Sequence, residues 1–183
     1  MKQITFNEDG LTRDEIDREL KKVRAIILNS EGKALLVKYT GLYMFPGGSI
    51  DEGESEKQAL KREILEESGI EIQTNDIGEP FLQIQSLNKN YYDRVMKKDI
   101  NRLTQTTYYA LQTDSDIDET RKKLTESEKE KGHQISFTNL SVIQYLVETN
   151  QTRNPKKKEF DKEILTALKE FAKLQEKDIE QER

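Results

Sequence analysis

The sequence predicts an α/β fold, more closely a mixed α+β domain with helices packed on a sheet. Three observations lead there. Short apolar runs bounded by turn residues alternate with helical patterns along the chain. The clearest helix opens on a capping box and closes on a glycine. The chain has 183 residues, 33% of them hydrophobic, which suits a single core.

The elements follow in order. Residues 1–22 are polar and read as an N-terminal extension, with Thr12 and Glu15 as a capping box for a short helix over 13–20. The apolar runs 23–28 and 34–39 flank Asn29-Ser30-Glu31-Gly32 and read as a hairpin. Residues 43–45 are extended and lead into Pro46-Gly47-Gly48, where glycine permits close backbone approach. Ser55 and Gln58 form a second capping box, helix formers run on to Ser68, and Gly69 is placed to stop the helix. Strands are expected over 70–73, 80–87 and 102–112, with 88–101 a long polar connection. Residues 113–131 are charged and weakly patterned, 133–137 alternate like a strand, and 141–149 read as a helix. The domain proper is thus 23–150. Beyond it, in 151–183, Phe160, Ile164, Ala167, Leu168, Phe171 and Leu174 recur at helical spacing. This amphipathic helix packs either on its own domain or on the partner in a homodimer.

Composition removes much chemistry. There is no cysteine, hence no disulfide framework, thiolate metal site or cysteine nucleophile. A single histidine, His133, excludes multi-histidine metal sites, and it reads as structural. Lys+Arg number 30 and Asp+Glu 35, for a net charge of −5, which argues weakly against duplex-DNA binding. No apolar run is long enough for a membrane span, and the N-terminus lacks a signal-like apolar stretch, so a cytoplasmic location is expected. Catalysis would then fall to carboxylates, and any metal would be a hard, oxygen-seeking one.

The carboxylates that matter lie on the helix after Gly47-Gly48. Glu63, Glu66 and Glu67 stand at i, i+3 and i+4, on one helical face. Alone they repel; a divalent cation on that face turns repulsion into coordination. The Gly47-Gly48 loop can add backbone carbonyls, and Arg62 and Glu54 are candidates for an ion pair fixing loop to helix.

These residues carry a resemblance. Gly48, five residues, Glu54, seven residues, Arg62-Glu63-Ile64, one residue, Glu66-Glu67, one residue, Gly69-Ile70 matches the Nudix box at every specified position. With average residue usage, a chance match is on the order of one in a billion per starting position. The chain resembles the Nudix hydrolases. The resemblance implies an α/β/α sandwich, a mixed sheet flanked by helices, here with an additional C-terminal helix. It implies hydrolysis of a diphosphate linkage in a nucleoside diphosphate-type substrate: a nucleoside triphosphate, dinucleoside polyphosphate, nucleotide sugar or ADP-ribose. It also implies that Glu63, Glu66, Glu67 and the carbonyl of Gly47 hold Mg²⁺ or Mn²⁺, with Arg62 and Glu54 as structural partners. Glu66 is the candidate general base within the box; Glu126, Glu128 and Glu130 are alternatives on a later segment, or simply a solvated charge run. The other functional class is a Nudix-fold module that senses a nucleotide without cleaving it.

Outside the box the substrate is less legible. Subfamily specificity motifs are not found: Ser86 stands near the place of an ADP-ribose-type proline, and Pro80 comes too early. The segment 88–101 carries Tyr91, Tyr92, Arg94, Lys97 and Lys98 in an otherwise acidic chain. Tyr91 and Arg94 are candidates for binding substrate, by stacking on a base and pairing with phosphate. Tyr108 and Tyr109 alternate on a strand and read as core packing first.

Overall fold

The computed structural model describes residues 1–93 and 95–181. Its centre is an eight-stranded mixed sheet with neighbour order β1-β6-β7-β2-β3-β4, plus β5 paired to β2 and β8 paired to β3. In chain order these are β1 (Lys2–Phe6), β2 (Arg18–Leu28), β3 (Ala34–Tyr39), β4 (Leu42–Met44), β5 (Gly47–Ser49), β6 (Leu82–Asp93), β7 (Lys98–Gln112) and β8 (Gln134–Thr138). The helices are α1 (Glu56–Ser68), α2 (Glu126–Glu130), α3 (Leu140–Thr149) and α4 (Lys157–Gln181).

The strand period of two sorts β2 into two faces. Val23, Ala25 and Ile27 pack with Ala59, Leu60 and Ile64 of α1. Ile26 and Leu28 point the other way and join Ile143 and Val147 of α3 and Ile164, Ala167 and Phe171 of α4. The sheet is therefore covered on both faces, as in an α/β/α sandwich. The apolar stripe of α4 is spent on its own chain's core.

Four expectations need correction. The helix over 13–20 is only a 3₁₀ turn, Arg13–Glu15, because from Arg18 onward the chain pairs in parallel with β7, Arg18 to Arg102 through Leu28 to Gln112. The capping box of Thr12 and Glu15 does form. Residues 70–73 are not a strand; Ile70 and Ile72 are buried beside α1 and the chain then takes a 3₁₀ turn, Thr74–Asp76. The polar connection 88–101 is mostly the continuation of two strands: β6 and β7 pair antiparallel from Leu82↔Tyr108 out to Asp93↔Lys98, with a bulge between Asn88 and Tyr91. Residues 1–22 supply β1, an edge strand parallel to β6, and the start of β2. A solvent-facing edge strand tolerates polar side chains, which hid β1 from pattern reading.

The helix that positions the site follows local rules. Ser55 Oγ accepts from the Gln58 backbone N–H at 3.3 Å, and Gln58 Oε1 accepts from the Ser55 N–H at 2.9 Å. At the other end Gly69 takes φ 73°, the left-handed geometry that closes α1.

Candidate active site

β5 presents the glycine loop to the sheet. Gly47 pairs with Arg24, Gly48 with Val23 and Ser49 with Lys22. Side chains are excluded there: a Cβ on Gly47 would overlap the Val23 carbonyl, and one on Gly48 would overlap the Glu63 carboxylate. The loop thus lies flush against α1, with Glu63 filling the space that Gly48 leaves.

Arg62 ties loop to helix. Its Nε donates to Glu54 Oε1 at 3.0 Å and its Nη2 to Glu54 Oε2 at 2.9 Å, a two-pronged pair. The same Nη2 donates to the Ser49 carbonyl at 3.0 Å, and Nη1 to Glu63 Oε1 at 2.8 Å. Glu54 Oε2 also accepts from the Asp51 N–H at 3.2 Å. Hydrogen bonding by Arg62 holds the Glu54 carboxyl below its usual range, and Glu54 in turn raises the affinity of Arg62 for its proton.

The three glutamates are placed differently. Glu67 is buried, and its Oε2 accepts from the Gly47 N–H at 2.9 Å. Glu63 is partly buried; burial pushes its carboxyl up, Arg62 pulls it down, and the charges of Glu67 and Glu66 push it up again. Glu66 is the most open, its Oε2 3.5 Å from Arg62 Nη1. Among the described residues no three carboxylate or imidazole groups close into a cage. The array is open, held by Arg62 and by a backbone N–H. The donor set still fits a hard divalent cation: mutually repelling carboxylate oxygens beside a glycine loop with no Cβ to crowd them.

Several residues beyond the box complete the surroundings. Arg24 is buried, donates from Nη1 to the Phe45 carbonyl at 2.6 Å, and pairs through Nε with Glu163 of α4 at 3.2 Å. Burial opposes its charge, but Glu163, Tyr108, Glu67 and Glu63 outweigh that and keep the guanidinium protonated. Tyr108 donates to the same Glu163 oxygen at 2.7 Å. The Phe45-Pro46-Gly47 approach is thereby fastened to α4. An arginine inside the apolar run 23–28 was the available signal, and pattern reading passed over it.

His133, read from the sequence as structural, is buried beside the box. Its side chain is 2% exposed, and Nε2 lies 3.7 Å from Glu67 Oε1. Among the described residues neither ring nitrogen has a hydrogen-bond partner. In the charged segment before it the three candidate glutamates are engaged locally or exposed. Glu126 pairs with Lys129 and is 83% exposed, Glu128 caps α2 through Thr125, and Glu130 is exposed.

Tyr91 is not beside the glutamates. It lines a cavity of about 410 Å³ with Asn88, Tyr92, Lys156 and Glu159, to which residues 47–69 contribute nothing. The Arg102 guanidinium sits 3.3 Å from its ring centroid, Lys156 Nζ lies 4.2 Å away, and Lys156 also donates to its hydroxyl. The Tyr91 ring is therefore already packed, whereas Tyr92 on the same cavity is 58% exposed. Arg94 lies outside the described residues. Tyr108 and Tyr109 are buried, with hydroxyls donating to Glu163 and Glu56.

Comparison with known proteins decides the family. The NUDIX domain model matches residues 19–178. The chain belongs to the Nudix family. Among curated relatives, CTP pyrophosphohydrolase of Escherichia coli K12 is 43% identical over 56 residues, 27% of this chain and 42% of that protein. A putative 8-oxo-dGTP diphosphatase of Bacillus subtilis 168 is 50% identical over 46 residues, 24% of this chain and 31% of that protein. The match thus spans less than half of each relative's length. Two solved structures share the fold. The NUDIX domain of Shewanella oneidensis NrtR, complexed with ADP ribose, has TM-score 0.56 at 17% identity, covering 90% of this chain and 93% of that one. The MutT protein of Methanosarcina mazei Go1 has TM-score 0.51 at 17% identity, covering 81% and 94%. No helix among the described residues is long and apolar enough to cross a membrane.

Proposed function

We propose that this Nudix-family chain is a divalent-metal-dependent hydrolase of a diphosphate linkage in a nucleotide-type substrate. The observation that carries the reading is the open carboxylate array. Glu63, Glu66 and Glu67 gather beside Gly47-Gly48, with Arg62 and Glu54 clamping loop to helix. Glu63, Glu66, Glu67 and the Gly47 carbonyl would hold Mg²⁺ or Mn²⁺. When bound, such an ion neutralises diphosphate oxygens and makes a water more acidic. Glu66, the most open of the three, would accept that water's proton. Glu67 is anchored at one oxygen by the Gly47 N–H. Arg62 is saturated by Glu54, Glu63 and Ser49 and serves as a strut rather than a phosphate ligand.

For the nucleoside end, the cavity bordered by Tyr91, Tyr92, Asn88 and Lys156 supplies aromatic surface, amide groups and positive charge. Tyr91 acts there as a braced wall and Tyr92 as the open stacking surface. The two curated relatives are named for CTP and 8-oxo-dGTP, so nucleoside triphosphates head the substrate classes, before dinucleoside polyphosphates, nucleotide sugars and ADP-ribose.

A screen of these classes with Mg²⁺ or Mn²⁺ tests the reading. Glu66→Gln should leave thermal unfolding unchanged and lower turnover of the best substrate at least about a hundredfold. Full turnover in that variant removes Glu66 from catalysis. Nucleotide binding without hydrolysis across the whole panel replaces the enzyme with a sensing module.

A further inference from the structure

His133 is the one histidine of the chain, and the fold takes trouble to bury it beside Glu67. Thr125 caps the short α2, whose last turn ends at Gly132 with φ 71°. Glycine adopts that left-handed turn without the strain a Cβ would bring. The His133 N–H then donates to the Glu128 carbonyl at 3.1 Å, and β8 starts at the next residue, Gln134 pairing with Lys38. The turn and the strand pairing together swing the imidazole inward, where its ring centroid lies 6.4 Å from that of Tyr39.

The result is costly for a residue that only fills space. Both ring nitrogens are buried without a hydrogen-bond partner among the described residues. A buried polar group left unpaired is unfavourable, and native structures rarely retain one without a use. The group it faces is the Glu67 carboxylate. Glu67 Oε2 is taken by the Gly47 N–H, and Oε1, the oxygen left over, is the one 3.7 Å from His133 Nε2. That is just beyond hydrogen-bond reach. The terminal torsion of a glutamate is soft, so the gap closes with a small rotation.

We propose that His133 is a positioning residue for Glu67: its Nε2–H donates to Glu67 Oε1 and, with the Gly47 N–H on the other oxygen, fixes the carboxylate plane for a divalent cation. The inference rests on the metal-dependent reading above. A carboxylate gripped at both oxygens from one side presents its remaining lone pairs in one direction. Such outer partners of metal ligands typically set affinity by 10–100-fold. An apolar residue of similar volume would pack the site as well and would remove two unpaired nitrogens, so packing alone and positioning make opposite statements about metal affinity.

The test is Mn²⁺ binding to the full chain, read by the loss of free-ion EPR signal on titration, with thermal unfolding of each variant alongside. His133→Leu and His133→Met lack the donor; His133→Gln keeps an N–H at a comparable reach. Either apolar variant should weaken Mn²⁺ binding by about 10–100-fold while unfolding at or above the wild-type temperature. His133→Gln should recover most of the lost affinity. Wild-type Mn²⁺ affinity in a folded His133→Leu or His133→Met protein overturns the positioning role and leaves the metal reading intact. Absence of Mn²⁺ binding by the wild-type chain overturns both.

Discussion

Lys22 illustrates how the sheet face under α4 is charged. It pairs by register with Ser49 of the glycine loop and shares a strand face with Arg24. Burial, followed by the nearby Arg24, brings its pKa down to about 8, and Glu163 offsets this only in part. The folded-state value lies below the unfolded one, so the protonated ammonium destabilises the fold. That penalty is complete below about pH 8, where both states are charged. It fades as pH rises toward the unfolded value of 10.5, because there the unfolded chain binds more protons than the folded one. Lys22→Met should therefore stabilise the protein at pH 7 by roughly 2 kcal/mol. The gain should shrink toward zero by about pH 10.5 in urea titrations. An unchanged midpoint at pH 7 would show that the ammonium is already solvated or paired. At this scale the box residues were legible, because their spacing alone puts carboxylates on one helix face. Lys22, Arg24, Glu163 and His133 were not, because each acquires its meaning from a residue far away in the chain.

At the scale of elements, α1 was readable end to end. Its caps are local chemistry, Ser55 with Gln58 at the start and Gly69 at the stop. The β6–β7 hairpin was not readable beyond residue 87. Its outer half leaves the core, so the period-two apolar signal lapses, and Asn90 and Lys97 take positive φ at the bulge and turn. Gly69 carries the stricter demand on α1. It needs its left-handed backbone, and a Cβ there would also overlap the Asp118 carbonyl, in the segment whose Asp118 N–H donates to the Ser68 carbonyl at 2.9 Å. Gly53 has a similar φ of 79° but open space around it. Gly53→Ala should thus cost about 1 kcal/mol, the backbone strain alone. Gly69→Ala should cost more than about 2 kcal/mol, since the overlap adds to the same strain. Equal shifts in denaturant midpoint for the two variants would mean that the 113–125 segment yields freely.

For the molecule as a whole, the layered plan followed from interleaved strands and helices, but the parallel edge pairing of β1 with β6 did not. It joins residues eighty positions apart, Lys2 with Leu82, and leaves no trace in local pattern. The same holds for the position of α4. Its stripe allowed either its own domain or a second copy, and the structure sets Ile164, Ala167 and Phe171 into the core shared with β2, β6 and α3. Phe171 is 5% exposed, and its ring centroid lies 6.0 Å from that of Phe81. Because α4 also carries Glu163 to Arg24, and Arg24 holds the Phe45 carbonyl just ahead of Gly47, packing at Phe171 is mechanically linked to the glycine loop. Phe171→Ala should destabilise the chain by about 3–5 kcal/mol through the cavity it leaves. Unfolding followed by the whole-chain circular dichroism signal and by loss of the proposed hydrolysis should shift together, since the loop cannot keep its anchor once α4 lifts away. Hydrolysis that survives after α4 has melted would separate the two and show that the glycine loop holds its shape from α1 alone.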